Sequence, residues 1–219
     1  MKKYCVFFLA MVFMTLNAQA QLTFSTVSVD GESLSTVPRY SWGIPLEKKI
    51  KTKKDVVFAI GATFNNFGII FDRLENGQTD RHKHRTWSFG PSGGVYFGLG
   101  KKMVVGLSGT VSYNFHYKHK IFPNGNRKDK VVNDREWFSD KVDPINLVPR
   151  FSIGTKKGFM LYGEYFFSNL FNTDYTDEMG AMPFAGFEVT RFNIGISSDL
   201  NDSFEDKEKI VAPQTDVSL

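Results

Sequence analysis

The sequence predicts an all-β fold: an eight-stranded antiparallel up-and-down transmembrane β-barrel. Three observations carry this. First, hydrophobicity alternates with a period of two over long stretches. The clearest runs over residues 102–118, where Met103, Val105, Leu107, Val111, Tyr113, Phe115 and Tyr117 alternate with Gly106, Ser108, Thr110, Ser112, Asn114 and His116. Successive strand side chains point to opposite faces, so this is one strand of about 17 residues, against roughly 3 to 10 in ordinary globular sheets. Second, the segments joining such stretches alternate between long and short. Third, one face of each stretch is apolar and aromatic while the other is small or polar, in a chain with 22 phenylalanines and 19 glycines.

Residues 1–20 read as an export signal, with Lys2 and Lys3, an apolar run over 6–16, and the small-x-small site Ala18-Gln19-Ala20. The run is shorter than the roughly 17 to 25 residues a membrane helix needs. The mature chain is expected to start at Gln21. Cys5, the one cysteine, leaves with the signal, which removes disulfides and thiolate chemistry. Of the 27 basic residues, 25 remain without Lys2 and Lys3 against 23 acidic ones, a small excess that gives no case for a nucleic-acid partner.

The strands follow in order. Residues 21–30 form a weak first strand, with Leu22 and Phe24 on one face and a slip in phase before Val27 and Val29. After a loop at 31–37, residues 38–49 alternate, with Tyr40, Trp42, Ile44 and Leu46 opposite Arg39, Ser41, Gly43 and Glu47. A charged turn at 51–54 leads into a strand at 56–71. Residues 72–85 read as a long polar loop, and 86–100 as a strand in which Tyr96 is out of phase. A tight turn at 100–102 precedes the strand 102–118. Residues 119–144 are the longest irregular segment, and 145–154 alternate again. The turn Lys156-Lys157-Gly158 returns the chain into 159–171, where Phe166 breaks the pattern. After a loop at 172–183, the last strand covers 184–200 with a bulge expected near 189–191. Residues 201–219, charged and then polar, read as an unstructured tail.

Every short turn falls at one end, with both termini, and every long connection at the other. That asymmetry matches barrels whose periplasmic turns are short and whose extracellular loops are long. Glycine, serine and asparagine suit a narrow lumen, and the aromatic face suits lipid, with Tyr40, Trp42, Trp87, Tyr113, Tyr117 and Tyr165 as an interface girdle. On this strand count and alternation, residues 21–200 resemble the small eight-stranded outer-membrane β-barrel proteins of Gram-negative bacteria, porin-like and OmpX-like or PorT-like in architecture. Asn193-Ile194-Gly195 with Leu200 partly matches the terminal sorting pattern of such proteins, though this chain continues to Leu219. The resemblance implies an outer-membrane location, contact with lipid and lipopolysaccharide, and a periplasmic tail.

A barrel of eight strands is filled by its own side chains, so a closed polar lumen is expected. Reflecting the strands about Lys157 sets Arg150 opposite Glu164, with Arg191, Arg39 and Glu47 extending a luminal polar network. The basic run Arg81-His82-Lys83-His84-Arg85 places Arg81, Lys83 and Arg85 where lipopolysaccharide phosphates lie. His82, His84, His116 and His119 are near enough in sequence to converge on a metal, but no carboxylate or cysteine completes a familiar spacing, and no cofactor is expected. Ser112 and His116 share a face too far apart for a nucleophile and its base, so no enzyme is expected. Trp137 and Phe138, aromatic among charges, suit loop recognition of an envelope protein partner. The expected role is structural or interaction-based, and the alternative is a narrow channel for small solutes.

Overall fold

The structure, a computed structural model, describes residues 19–198 apart from Lys54, Asn76 and Arg127. All but the last two residues of the predicted signal, the end of the last predicted strand with Leu200, and the predicted tail lie outside the described residues. The strands are β1 (Gln19–Val29), β2 (Glu32–Thr36), β3 (Arg39–Lys53), β4 (Val56–Glu75), β5 (Gln78–Leu99), β6 (Met103–Phe122), β7 (Val132–Trp137), β8 (Ile145–Thr155), β9 (Met160–Phe166) and β10 (Phe187–Ser197).

Every pairing is antiparallel, and β10 pairs with β1 from Ala20↔Ile196 to Val29↔Phe187, which closes the sheet. β2 and β3 share one place in the ring between β1 and β4, interrupted at Val37 and Pro38. β7 hangs on the outer end of β6. The ring therefore has eight strands among the described residues, as the periodicity predicts. β1 begins at Gln19, two residues ahead of the predicted mature start.

The wall is apolar outside and polar inside. Leu22, Leu46, Phe58, Ile60, Leu107, Phe151 and Leu161 are exposed, with Ile60 at 63% and Leu107 at 59%, while Thr23, Ser41, Asn65, Ser112, Asn146 and Asn193 are buried. Water-soluble folds have the opposite polarity, and so large an exposed apolar surface suits lipid.

The lumen is filled in layers. At the short-turn end Val57, Ala59, Tyr96, Val104 and Met160 pack together. Next comes a polar layer around Arg150 and Glu164, then Phe67, Val148 and Phe166. At the far end Val27, Ile69, Phe71, Leu170, Phe171, Phe187 and Val189 form a second apolar plug. Glycine makes this filling possible. A Cβ on Gly106 would lie 2.3 Å from the Tyr96 ring, and one on Gly195 2.4 Å from the Tyr162 ring.

These layers correct several expectations. β1 and β10 run without the predicted slip or bulge, and their inward positions simply change from polar (Gln21, Thr23, Asn193) to apolar (Val27, Phe187, Val189) as they enter the outer plug. Tyr96 and Phe166 also point inward, into the apolar layer at the short-turn end and the one beside Phe67 and Val148. The polar segment 72–85 is not a loop, because β4 and β5 pair without a break from Val56↔Phe97 to Glu75↔Gln78 around a tight turn with Gly77 at φ 79°. β9 stops at Phe166, after which Leu170 and Phe171 turn into the plug. The phase of β6 does change, at a bulge where Trp87 faces His116 but Ser88 faces Asn114. The extra residue is Phe115.

Candidate functional site

The predicted ion pair forms in the middle of the lumen. Arg150 and Glu164 are register partners, with Arg150 Nε donating to Glu164 Oε1 at 2.8 Å. Asn193 Nδ2 donates to Glu164 Oε2 at 2.8 Å, Arg150 Nη2 donates to Gln19 Oε1 at 2.6 Å, and the guanidinium lies 4.2 Å from the centre of the Tyr162 ring. The carboxylate is thus satisfied on both oxygens, which a buried charge requires.

The rest of the proposed network is dispersed. Arg191 is held by neutral groups: it donates to Asn146 Oδ1 at 2.8 Å and to the Ser168 carbonyl at 3.1 Å, and sits 4.3 Å from the centre of the Phe166 ring. Arg39 donates to Asn66 Oδ1 at 2.7 Å and to Ser41 at 3.1 Å. Glu47 accepts from Ser92 at 2.6 Å. Arg39 and Glu47 lie eight residues apart along β3, on the order of 27 Å, so they belong to different layers.

Above the apolar belt, β4, β5, β6 and β7 continue as a sheet, and its outer face carries the basic run. Arg81 is paired with Asp72 on β4, in a two-point ion pair of 2.8 and 2.9 Å. That pairing holds the Asp72 carboxyl below its ordinary range. Arg85 lies opposite Lys118, which lies opposite Arg135, and Lys83 lies opposite Lys120. Among the described residues no carboxylate pairs with Arg85, Lys118 or Lys120. Partial burial, and then the neighbouring cations Lys120, Arg135 and Arg85, pull the Lys118 ammonium below its ordinary value.

Just below this ledge lies an aromatic cluster. Trp137 packs against Phe115 with ring centres 6.0 Å apart and against His116 at 4.9 Å, while Phe138 packs on Tyr113 at 6.3 Å. Phe138 adopts φ 53°, a left-handed conformation that favours glycine, and its N–H is bound by the Phe115 carbonyl. Trp137 and Phe138 therefore lie on the outer wall and extend the girdle of Tyr40, Tyr113 and Tyr165. Tyr117 leaves that girdle. The bulge at Phe115 turns it inward, fully buried, and turns His116 outward between Trp87 and Trp137. Ser112 stays in the lumen, so Ser112 and His116 are on opposite faces.

The inner face of the same sheet brings together three of the four histidines named from the sequence, His82, His84 and His119, and leaves His116 out. His82 and His84 alternate on β5, and His119 on β6 is the register partner of His84. The His84 and His119 rings stack at 4.1 Å, and His82 Nδ1 lies 3.2 Å from His119 Nε2. Phe71 stacks flat against His82 and His84, each at 5.3 Å, and Phe171 meets His84 edge-on. Tyr117 Oη lies 2.8 Å from His84 Nδ1, and Glu75 Oε1 lies 3.7 Å from His82 Nε2. The rings line a cavity of about 330 Å³ that also reaches Asp134, Lys141 and Tyr175.

Burial sets the charge state here. It pushes the His84 imidazole well below its ordinary value, helped by His119 and His82. It brings His119 down to about 4, helped by His82 and Lys141. It lowers His82 too, against the pull of Glu75. In all three rings burial thus favours the neutral form. Lys141 stays charged: burial opposes it, but Asp134 at 2.7 Å and Glu136 raise it above its ordinary value. A hairpin signal hid in the sequence, because Asn76-Gly77 favours a two-residue turn and would have put His82 and His84 on one face of a strand.

No family model and no curated protein matches the chain. Among solved structures it is similar to Ail, the attachment invasion locus protein of Yersinia pestis, in complex with the heparin analogue sucrose octasulfate, at 11% identity over 83% of this chain and 95% of that one, with a TM-score of 0.40. It is also similar to Neisserial surface protein A, at 12% identity over 84% of this chain and 96% of that one, with a TM-score of 0.45. At such identities the likeness concerns fold alone. The eight-stranded ring itself is established by the chain's own strand register.

Proposed function

We propose that this chain is an outer-membrane barrel with a sealed lumen that acts by binding at its outer end, and that its ligand there is the phosphate of lipopolysaccharide. The observation that carries this reading is the cross-strand array of Lys83, Arg85, Lys118, Lys120 and Arg135 on one outer face, directly above the aromatic girdle. Like charges placed opposite one another weaken a sheet, and a bound polyanion reverses the sign of that interaction. The adjoining exposed rings of Trp137 and Phe138 suit the boundary between acyl chains and headgroups. The two apolar plugs favour a silent barrel over the competing reading, a narrow channel for small solutes.

The test compares lipopolysaccharide retained by the purified barrel with that retained by a Lys118→Ala/Lys120→Ala variant, before and after enzymatic removal of the phosphates. Loss of retention on either change, and weakening with salt, is expected. Equal retention by variant and parent would overturn the assignment. Planar-bilayer recordings separate the competing reading, which requires reproducible openings.

A further inference from the structure

We propose that His82, His84 and His119 form a binding site for one borderline divalent transition ion, zinc or copper in class, in the vestibule above the outer plug. This site is separate from the basic ledge, which lies on the opposite face of the same sheet.

The geometry is that of a ligand set. The candidate ligand atoms of the three residues all lie within 4.8 Å of one another. Metal–nitrogen bonds of about 2.05 Å in a tetrahedral site separate neighbouring nitrogens by about 3.3 Å. His82 Nδ1 and His119 Nε2 are 3.2 Å apart, so one edge of the tetrahedron already exists. His84 enters from beside His119, its direct register partner.

One buried atom points to a missing ligand. His84 Nε2 is buried and has no hydrogen-bond partner, in a residue exposed by only 2%. Buried polar atoms are almost always satisfied, and a neutral imidazole nitrogen is satisfied either by a proton donor or by a metal. Around His84 the partner Tyr117 is compatible with the metal-binding tautomer. When Nδ1–H donates to Tyr117 Oη, Nε2 is left bare, which is the outer-shell device that orients metal-binding imidazoles. Glu75 lies beside His82 Nε2, where a carboxylate orients a ring that binds through Nδ1, and the vestibule has room for a water at an open position. Three imidazoles select zinc- or copper-like ions over magnesium or calcium, which prefer oxygen.

The experiment uses the mature protein purified without a histidine tag, stripped with chelator, and titrated with zinc by calorimetry and with copper by electron paramagnetic resonance. One ion per barrel is expected, with copper hyperfine structure from several nitrogens. His84→Ala and His119→Ala should each weaken binding at least tenfold. His116→Ala, which removes the fourth histidine, on the outer wall, should leave it unchanged. The nitrogen count is read on the parent protein, so a variant that misfolds does not blur the result. No binding by the parent, a signal from one nitrogen or none, or an equal loss in His116→Ala would overturn the site.

Discussion

Arg150 and Glu164 face each other across the β8–β9 pairing, and the two oxygens of Glu164 are divided between Arg150 and Asn193. Breaking a buried pair by neutralising one partner costs on the order of 3–5 kcal/mol, because the other charge stays buried. Glu164→Gln should therefore lower the thermal unfolding midpoint of the detergent-solubilised barrel clearly. Asp72→Asn, which breaks the partly exposed pair to Arg81, should move it far less. An unchanged midpoint in Glu164→Gln would remove the pair from the account of stability.

The lumen is packed ring against glycine, so its tolerance is specific to position. Gly106→Ala puts a methyl against Tyr96, and overpacking of this kind costs about 1–3 kcal/mol. Combining it with Tyr96→Ala should recover part of that loss, a coupling that a double-mutant cycle measures directly. Additive losses would mean that the two residues do not touch.

The Asp72–Arg81 pair makes the tip of the β4–β5 hairpin sensitive to acid. The hydrogen bond from Arg81 holds the Asp72 carboxyl below its ordinary value, with burial opposing and the Arg81 and His82 charges adding to the effect. A carboxyl whose folded value is depressed contributes stability that is present above about pH 4 and is lost as pH falls through the lowered folded value. Amide exchange near Gly77 and Gln78 should accelerate below that point in the parent. In Asp72→Asn it should be fast throughout and show no such step.

The strand pattern was legible wherever one strand face met a single environment. Leu107 and Phe151 meet lipid while Ser112 and Asn146 meet the polar lumen, and there the alternation reads correctly. It failed where the lumen itself becomes apolar. Val27 and Val189 point inward like Thr23 and Asn193, so a switch of environment imitated a slip in register. Arg150 opposite Glu164 was readable because the turn at Lys157 fixes the reflection. Which three of the four histidines converge was not, because it depends on an unbroken hairpin through residues 72–85 and a bulge at Phe115. Neither feature alters hydrophobicity enough to register in a count of apolar positions.

That bulge decides which residues of β6 meet water, and single cysteines can test it, because the one native cysteine, Cys5, lies in the predicted signal. With the bulge, Tyr117 is buried under the vestibule at 1% exposure and Lys118 lies on the outer basic face. Without it, even positions would continue inward beyond Asn114, so Lys118 would enter the lumen and Tyr117 would face out. Lys118→Cys should therefore react quickly with a membrane-impermeant maleimide on intact cells, while Tyr117→Cys reacts slowly. Lower on the strand, Leu107→Cys should resist that reagent but accept a lipid-soluble one, because its face lies in the apolar belt. If Tyr117→Cys labels faster than Lys118→Cys, the phase runs straight through Phe115. His119 then leaves the inner face, and the vestibule loses a ligand.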